Sequence, residues 1–390
     1  MATLLKKINV FSSYKACPWR RCLHLLCYKN AGTEGATLEL PNQDVPNVAA
    51  GVGGVVVYSG DRESSCVWYA SCLLETPPSA WMRLDLPRPR RVESVTVGRC
   101  HIAAVLDDHT VYTAGSNSFG QCGHHGNSEK ELKLNPISGS LYKQVACGLD
   151  HTLLLTVSGE VLACGWSADG QTGVGHYDNV YEPTSLDVSN VLSMHTCADS
   201  SFAITKSGEV YAWGNNEYGQ LGLVTPQEQV SHPILLDMSD LDSDVVSIAA
   251  GGAFTGLLTS RGSVYVAGYS IEDPSLCVKE GTGGTVIKPE ALSRFRKLAT
   301  HEEITSLDAG LNYLVAGLHG NSGVPRELLV WGRSPCDDAN YVPNKRVKVD
   351  KSVTGLNYGP TEIVATVMDK TTFAGTSILN LEQASTRHVT

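Results

Sequence analysis

Nowhere in its 390 residues does the chain hold an apolar run long enough to cross a bilayer; even GLLTSRGSVYVAG (256–268) breaks after a few residues. A spanning helix is therefore not expected, and a soluble protein, at most peripheral to a membrane, is. The twelve cysteines include no CxxC pair, which removes the zinc-ribbon spacing. Most of the cysteines stand where a small apolar residue would fit a strand, so free thiols in a reducing compartment are expected. No glycine-rich turn is followed by Lys and Ser or Thr, as a phosphate loop requires. No GxSxG elbow occurs either, and His124, His125 and His176 lack partners at metal-ligand spacing. The expectation is a protein with no enzymatic active site, no cofactor and no metal.

Another absence is local. Residues 1–33 contain no Asp or Glu, yet they carry Lys6, Lys7, Lys15, Arg20, Arg21 and Lys29. Against a net charge of −10, those six cations leave about −16 on the rest of the chain. A basic, acid-free leader with serines and apolar residues between its charges fits a mitochondrial transit peptide. The expected organisation is a leader at 1–33, a globular body at 34–385 and a short tail at 386–390.

What is plentiful is glycine, 38 residues in all, which points to many tight turns and so to β-structure. CGWSADGQTGVGH (164–176) holds four of them, and its surroundings show why. VACGLDHTLLLTVSGEVLACGWSADGQTG (145–173) aligns with TCADSSFAITKSGEVYAWGNNEYGQLG (196–222) and with TVGRCHIAAVLDDHTVYTAGSNSFGQCG (96–123). Each unit runs through a short strand, a GxxH-like turn, an apolar strand, a polar turn, a VYxxG strand and a Gly-Gln-x-Gly turn. The leading position recurs at Gly51, Gly98, Gly148, Ala198, Gly251, Gly310 and Gly359, at intervals of 47 to 59 residues. The VYxxG glycine keeps pace at Gly115, Gly165, Gly214, Gly268, Gly332 and Gly375, with Ser71 in the first unit. Seven strand-rich units of about fifty residues predict an all-β, seven-bladed β-propeller. The GQTG run is then an architectural turn.

These units resemble the regulator of chromosome condensation repeat family, whose signature is carried by ACGLDHTLLLTVSGEVLACG, ADSSFAITKSGEVYAWGNNEYGQLG and VGRCHIAAVLDDHTVYTAG. The three central units are specific; the first and the last two are degenerate, and units five and six have SIEDPSLC and SPCDDANY in place of the Gly-Gln turn. NSFGQCG, GLDHTLLLT and CGWSADGQTGVGHY are most similar to a mitochondrial branch of the family. The resemblance implies a propeller of the regulator-of-chromosome-condensation type. It also implies a scaffold for mitochondrial large-ribosomal-subunit assembly, with assembly GTPases, rRNA-modifying proteins and mitochondrial rRNA as partners, and peripheral inner-membrane association. The alternative it implies is a guanine-nucleotide exchange factor, for a dynamin-like GTPase of membrane fusion or for a nuclear small GTPase of the Ran type. How the ring closes is open at this point: TTFAGTSILNLE (371–382) is a candidate for inner strands, with TLEL (37–40) as an outer strand.

In a propeller the GxxH-like turns converge on one face, gathering Arg99, His101, Asp150, His151, Asp199 and Asn312. The resemblance implies a GTPase contact for Asp150 and Asp199, which match acidic turn positions of the family, while His101 and His151 match its repeated histidine. A histidine recurring in each unit fits a ring of inter-blade hydrogen bonds equally, since buried polar groups must be paired. Asp150 fits the capping of turn amides as well. Arg88, Arg90 and Arg91, in RPRR beside Trp81, are candidates for contact with an RNA backbone, or else a solvated charged loop.

Overall fold

A computed structural model describes residues 22–27, 36–39, 47–59, 66–71, 82–86, 90–124, 133–223, 227–269, 271, 294–300, 302–318, 325, 327–333, 341–349, 353–358, 363–368 and 379–380. Every element in them is a strand. Five blades, and the first four strands of a sixth, are each wound from one continuous stretch of chain. Blade I comprises β3 (Asn47–Gly51), β4 (Gly54–Ser59), β5 (Cys66–Ser71) and β6 (Met82–Leu84). Blade II comprises β7 (Val92–Val97), β8 (His101–Leu106), β9 (Val111–Gly115) and β10 (Asn135–Ile137). Blade III comprises β11 (Tyr142–Cys147), β12 (His151–Thr156), β13 (Val161–Gly165) and β14 (Val180–Ser185). Blade IV comprises β15 (Val191–Cys197), β16 (Ser200–Thr205), β17 (Val210–Asn215) and β18 (Gln229–Leu235). Blade V comprises β19 (Val245–Ala250), β20 (Phe254–Thr259), β21 (Val264–Gly268) and β22 (Arg296–Lys297). Blade VI comprises β23 (Ile304–Ala309), β24 (Tyr313–Leu318), β25 (Glu327–Arg333) and β26 (Tyr341–Val349), and β29 (Leu379–Asn380) adds to its outer edge.

The expectation of seven repeat-unit blades is thus corrected to six. The remaining sheet is of another make: β1 (Cys22–Cys27) and β2 (Ala36–Glu39) from one end of the chain pair with β27 (Val353–Tyr358) and β28 (Ile363–Met368) from the other, in the order β2-β1-β28-β27. Leu23 to Cys27 run antiparallel to Val364 to Met368, and β27 packs beside β3. TLEL overlaps the outer strand β2, as expected. The inner partner is β1, which the sequence reading had placed in the leader. Of TTFAGTSILNLE, residues 371–378 and 381–382 lie outside the described residues, and Leu379–Asn380 pairs with β26 instead. Gly359 and Gly375 also lie outside the described residues.

Burial follows blade order. The first strands alternate, as in β7 and β11, because one face looks into the central channel. The second strands β8, β12, β16, β20 and β24 are buried at every residue, since neighbouring blades cover both faces. That explains their unbroken apolar runs. The core therefore lies between blades: Leu153, Leu155, Met194, Phe202, Trp213 and Leu257 belong to one cluster across blades III to V. Gln144 ties two first strands together, its side chain donating to Met194 O (2.7 Å) and accepting from Met194 N (3.0 Å).

The VYxxG glycine has a local cause. Gly165 has φ of 116°, and a Cβ there would stand 2.4 Å from Asp150 O. At Gly170 in the GQTG turn, φ is 81° and a Cβ would lie 2.4 Å from Val230 O, on the outer strand of the next blade. A side chain at either site meets both a forbidden backbone region and a wall.

Candidate partner-binding rim

The turns joining first and second strands share one end of the ring. They are latched to one another through the backbone. Gly53 N donates to Gly98 O (2.7 Å), Arg99 N to Leu149 O (2.9 Å), Leu149 N to Ala198 O (2.9 Å) and Gly252 N to Leu311 O (2.9 Å). A rim whose turn amides are bonded in this way is a rigid place for side chains to stand.

Beneath it lie the histidines. His101 Nε2 is 2.9 Å from Thr152 Oγ1 in the next blade, and that hydroxyl donates to Gln121 O (2.7 Å). His151 repeats the relay: Nε2 is 3.0 Å from Ser201 Oγ, which donates to Gln171 O (3.0 Å). Each ring also fills the space over its own turn glycine; a Cβ on Gly148 would stand 2.1 Å from His151 Cε1. Burial lowers the His101 pKa to about 4, against a bond with the His151 backbone. Burial, then repulsion from His101, lowers that of His151 to about 3. Both are neutral at pH 7. Expected among the residues that meet a partner, they are instead sealed between blades, where Thr152 and Ser201 meet their Nε2 atoms.

The charge of the rim lies above them. Arg99 forms an ion pair with Asp150. The aspartate side chain is 6% exposed and the arginine 47%, so the guanidinium covers the carboxylate. Asp199 is half-buried and accepts from Gln171 Nε2 at 2.9 Å. Burial raises its pKa; the Gln171 bond and Arg99 oppose this, while Asp169 adds to it. Arg99 is thus attracted to two carboxylates from successive turns. Asn312 is exposed on the turn of blade VI.

The sequence reading missed the aromatic residues at this end. Phe119 meets Trp166 edge-on, with centroids 4.7 Å apart, and Tyr218 meets Tyr269 likewise at 6.2 Å. All four are half-buried and pair across neighbouring blades. Their signal was positional: Trp166 and Tyr269 follow the VYxxG glycine, and Phe119 and Tyr218 precede Gly-Gln.

The basic cluster stands elsewhere. Arg88 lies outside the described residues. Arg90 is 3.1 Å from Asp108 and 3.9 Å from Asp107, and Arg91 is 3.4 Å from Glu93, just before β7 and away from the rim. Each of these two arginines thus stands beside an acid of its own blade.

Among the described residues no group of three or more His, Cys, Asp or Glu could hold a metal ion. Burial raises the thiols of Cys122 and Cys147 to about 12 and that of Cys164 well above its ordinary value, so these three are inert. The central channel encloses a cavity of about 270 Å³ bordered by His195, Cys197 and Asp308. Asp308 faces this channel with an exposed side chain, and the protein walls around it, which limit its hydration, raise its pKa to about 6, against a bond from Ala309 N.

Comparison with known proteins agrees with this geometry. The regulator of chromosome condensation (RCC1) repeat matches at residues 108–155 and 207–258, and a second model of the repeat matches at 92–121 and 142–171. The chain is an RCC1-repeat protein, folded as an RCC1-type propeller. It is 36% identical over 273 residues to the human RCC1-like G exchanging factor-like protein, an alignment taking in 67% of this chain and 57% of that protein. The chain thus spans little more than half the length of that relative. The crystal structure of human WBSCR16 superposes with a TM-score of 0.69 at 26% identity, covering 89% of this chain and 98% of that one. Prp20p from Saccharomyces cerevisiae, whose crystal structure was described with its binding to Gsp1p and histones, gives 0.67 at 18% identity, covering 90% and 92%. At that identity the likeness concerns the fold.

Proposed function

We propose that the rim binds a GTPase and that the chain acts as a mitochondrial docking platform. The observation that carries this reading is Arg99, half-exposed and held by Asp150 on latched turns beside Asp199. A fixed charge cluster flanked by partly exposed aromatic pairs suits a protein partner, because orientation is set before binding. The human relative's name, a G exchanging factor-like protein, supports a GTPase as that partner. The acid-free leader supports mitochondria. The resemblance to a mitochondrial branch supports work in large-ribosomal-subunit assembly, with rRNA-modifying proteins docked on the same scaffold.

A second reading, nucleotide exchange, is favoured by the same name. An exchanger must bind the nucleotide-free GTPase more tightly than the loaded one, whereas a platform need not discriminate. Release of fluorescent GDP from mitochondrial GTPases separates the two. Under the platform reading, the GTPase binds, Arg99→Glu with Asp199→Lys weakens it, and release is unchanged. Accelerated release establishes exchange, and wild-type affinity in the rim variant removes the rim from both readings. Crosslinking in intact mitochondria tests the ribosomal role, which fails if no assembly factor or rRNA is joined to the chain.

A further inference from the structure

The opposite end of the ring carries a different surface. Inner strands β7, β11, β15, β19 and β23 each skip register at the second residue, between Val92 and Ser94, Tyr142 and Gln144, Val191 and Ser193, Val245 and Ser247, and Ile304 and Ser306. A bulge of this kind leaves one residue unpaired and re-aims its side chain. In blades IV and V the bulged residues are Leu192 and Val246, exposed by 56% and 54%. Leu141 and Val157, exposed by 51% and 49%, lie beside them in blade III, where Val157 N donates to Leu141 O (3.0 Å). Four apolar side chains from three successive blades therefore share this end. Clustered apolar exposure of this kind marks an interaction site.

Two lysines stand beside Leu192, and the exposed acids at this end include Glu160, Glu209 and Asp244. Lys143, the bulged residue of blade III, reaches across to Val191 O (3.2 Å), next to Leu192. Lys206 follows β16 and is joined to blade IV's entry by its N–H to Asn190 O (2.8 Å). Burial, and then repulsion from Lys206, lower the Lys143 pKa. Neither has a carboxylate partner among the described residues. Nearby Glu160 and Glu209 are engaged by Ser158 (3.4 Å) and Ser207 (2.9 Å).

We propose that this end, opposite the rim, docks an acidic amphipathic segment of a second protein. Its apolar side chains cover Leu141, Val157, Leu192 and Val246, and its carboxylates meet Lys143 and Lys206. Leu192 and Val246, on adjacent strand ends, are the anchors, and the lysine pair selects charge.

The test uses the full chain and two labelled helical peptides, one with Leu along one face and Glu on its flanks, the other with Lys for Glu. Fluorescence anisotropy at low salt reads the affinities. The Glu peptide is expected to bind roughly tenfold tighter, a difference of about 1.4 kcal/mol. Leu192→Glu abolishes binding while melting as wild type, since the site is on the surface. Lys143→Glu with Lys206→Glu reverses the preference. Equal affinities, or unchanged binding by Leu192→Glu, overturn the proposal. So does sedimentation showing that a second copy of the chain covers the patch. Capture of phosphatidylserine vesicles that depends on Leu192, without peptide binding, overturns it too.

Discussion

Replacing Gly148 by alanine tests how the blades are joined. Gly148 does not lie at positive φ, so the cost of a side chain there is steric. Its new Cβ would stand 2.1 Å from His151 Cε1, 2.5 Å from Nδ1 and 2.6 Å from Ala198 O. Overpacking of this kind costs about 1–3 kcal/mol. A displaced imidazole also loses its bond to Ser201, worth about 1 kcal/mol. Gly148→Ala should therefore destabilise by about 3 kcal/mol, read as a shift in urea midpoint at constant slope. The decisive measurement is the double variant. In a His151→Ala background the ring is gone and only Ala198 O obstructs, so Gly148→Ala should cost about 1–2 kcal/mol less. Gly208→Ala is the control: φ is 86° but no atom lies within 4 Å of its Cβ, leaving only backbone strain of about 1 kcal/mol. If Gly148→Ala unfolds like wild type, or costs the same with and without His151, the histidine does not pack on the turn and the register of the repeat is wrong.

Stability should also respond to pH through two opposite effects. His101 and His151 titrate near 4 and 3 when folded against 6.5 unfolded, so the unfolded chain binds more protons between these values. Melting temperature should fall as pH drops from about 6.5 towards 4, less so in His151→Ala; an unchanged slope refutes this. Asp308 is raised from 3.8 to about 6, so its contribution weakens as pH rises through that window. Asp308→Asn should stabilise the protein above pH 6 and lose its advantage below pH 4, and a pH-independent gain would show that charge is not the cause. Native alkylation at pH 8 should modify the exposed Cys100 and spare Cys122, Cys147 and Cys164; peptide mass spectrometry reads this, and equal labelling contradicts the burial of the thiols. Removing residues 1–21 should leave the melting temperature unchanged, whereas removing 1–33 deletes β1, exposes the edge of β28 and lowers it. Equal melting of the two truncations would mean that β1 contributes nothing.

Spacing was enough to reveal the blades of the central repeats. The interval of about fifty residues between Gly98, Gly148 and Ala198 reflects one physical unit, a four-stranded sheet whose inner turn must touch the next. The role of His151 was readable as an alternative only, because sequence shows that a histidine recurs but not that Ser201 stands beneath it. Closure stayed open for a related reason. Nothing in CLHLLC identifies Val364–Met368 as its partner, since strand pairing across more than 330 residues leaves no local mark. The exposed Leu192 was invisible too: in sequence it is one more apolar residue in a strand, and only the bulge turns it outward.

The sheet shared by the two chain ends also sets the order of events in making this protein. Blades I to V and the first four strands of blade VI can each condense as soon as their own strands emerge, because every pairing within them is between near neighbours. Strand β1 has no such option. It emerges before β28, and although β2 can pair with one of its edges at once, the other edge stays open until Met368 has followed it. Any chaperone or membrane that holds the front of the chain in that interval decides whether the circle is ever completed.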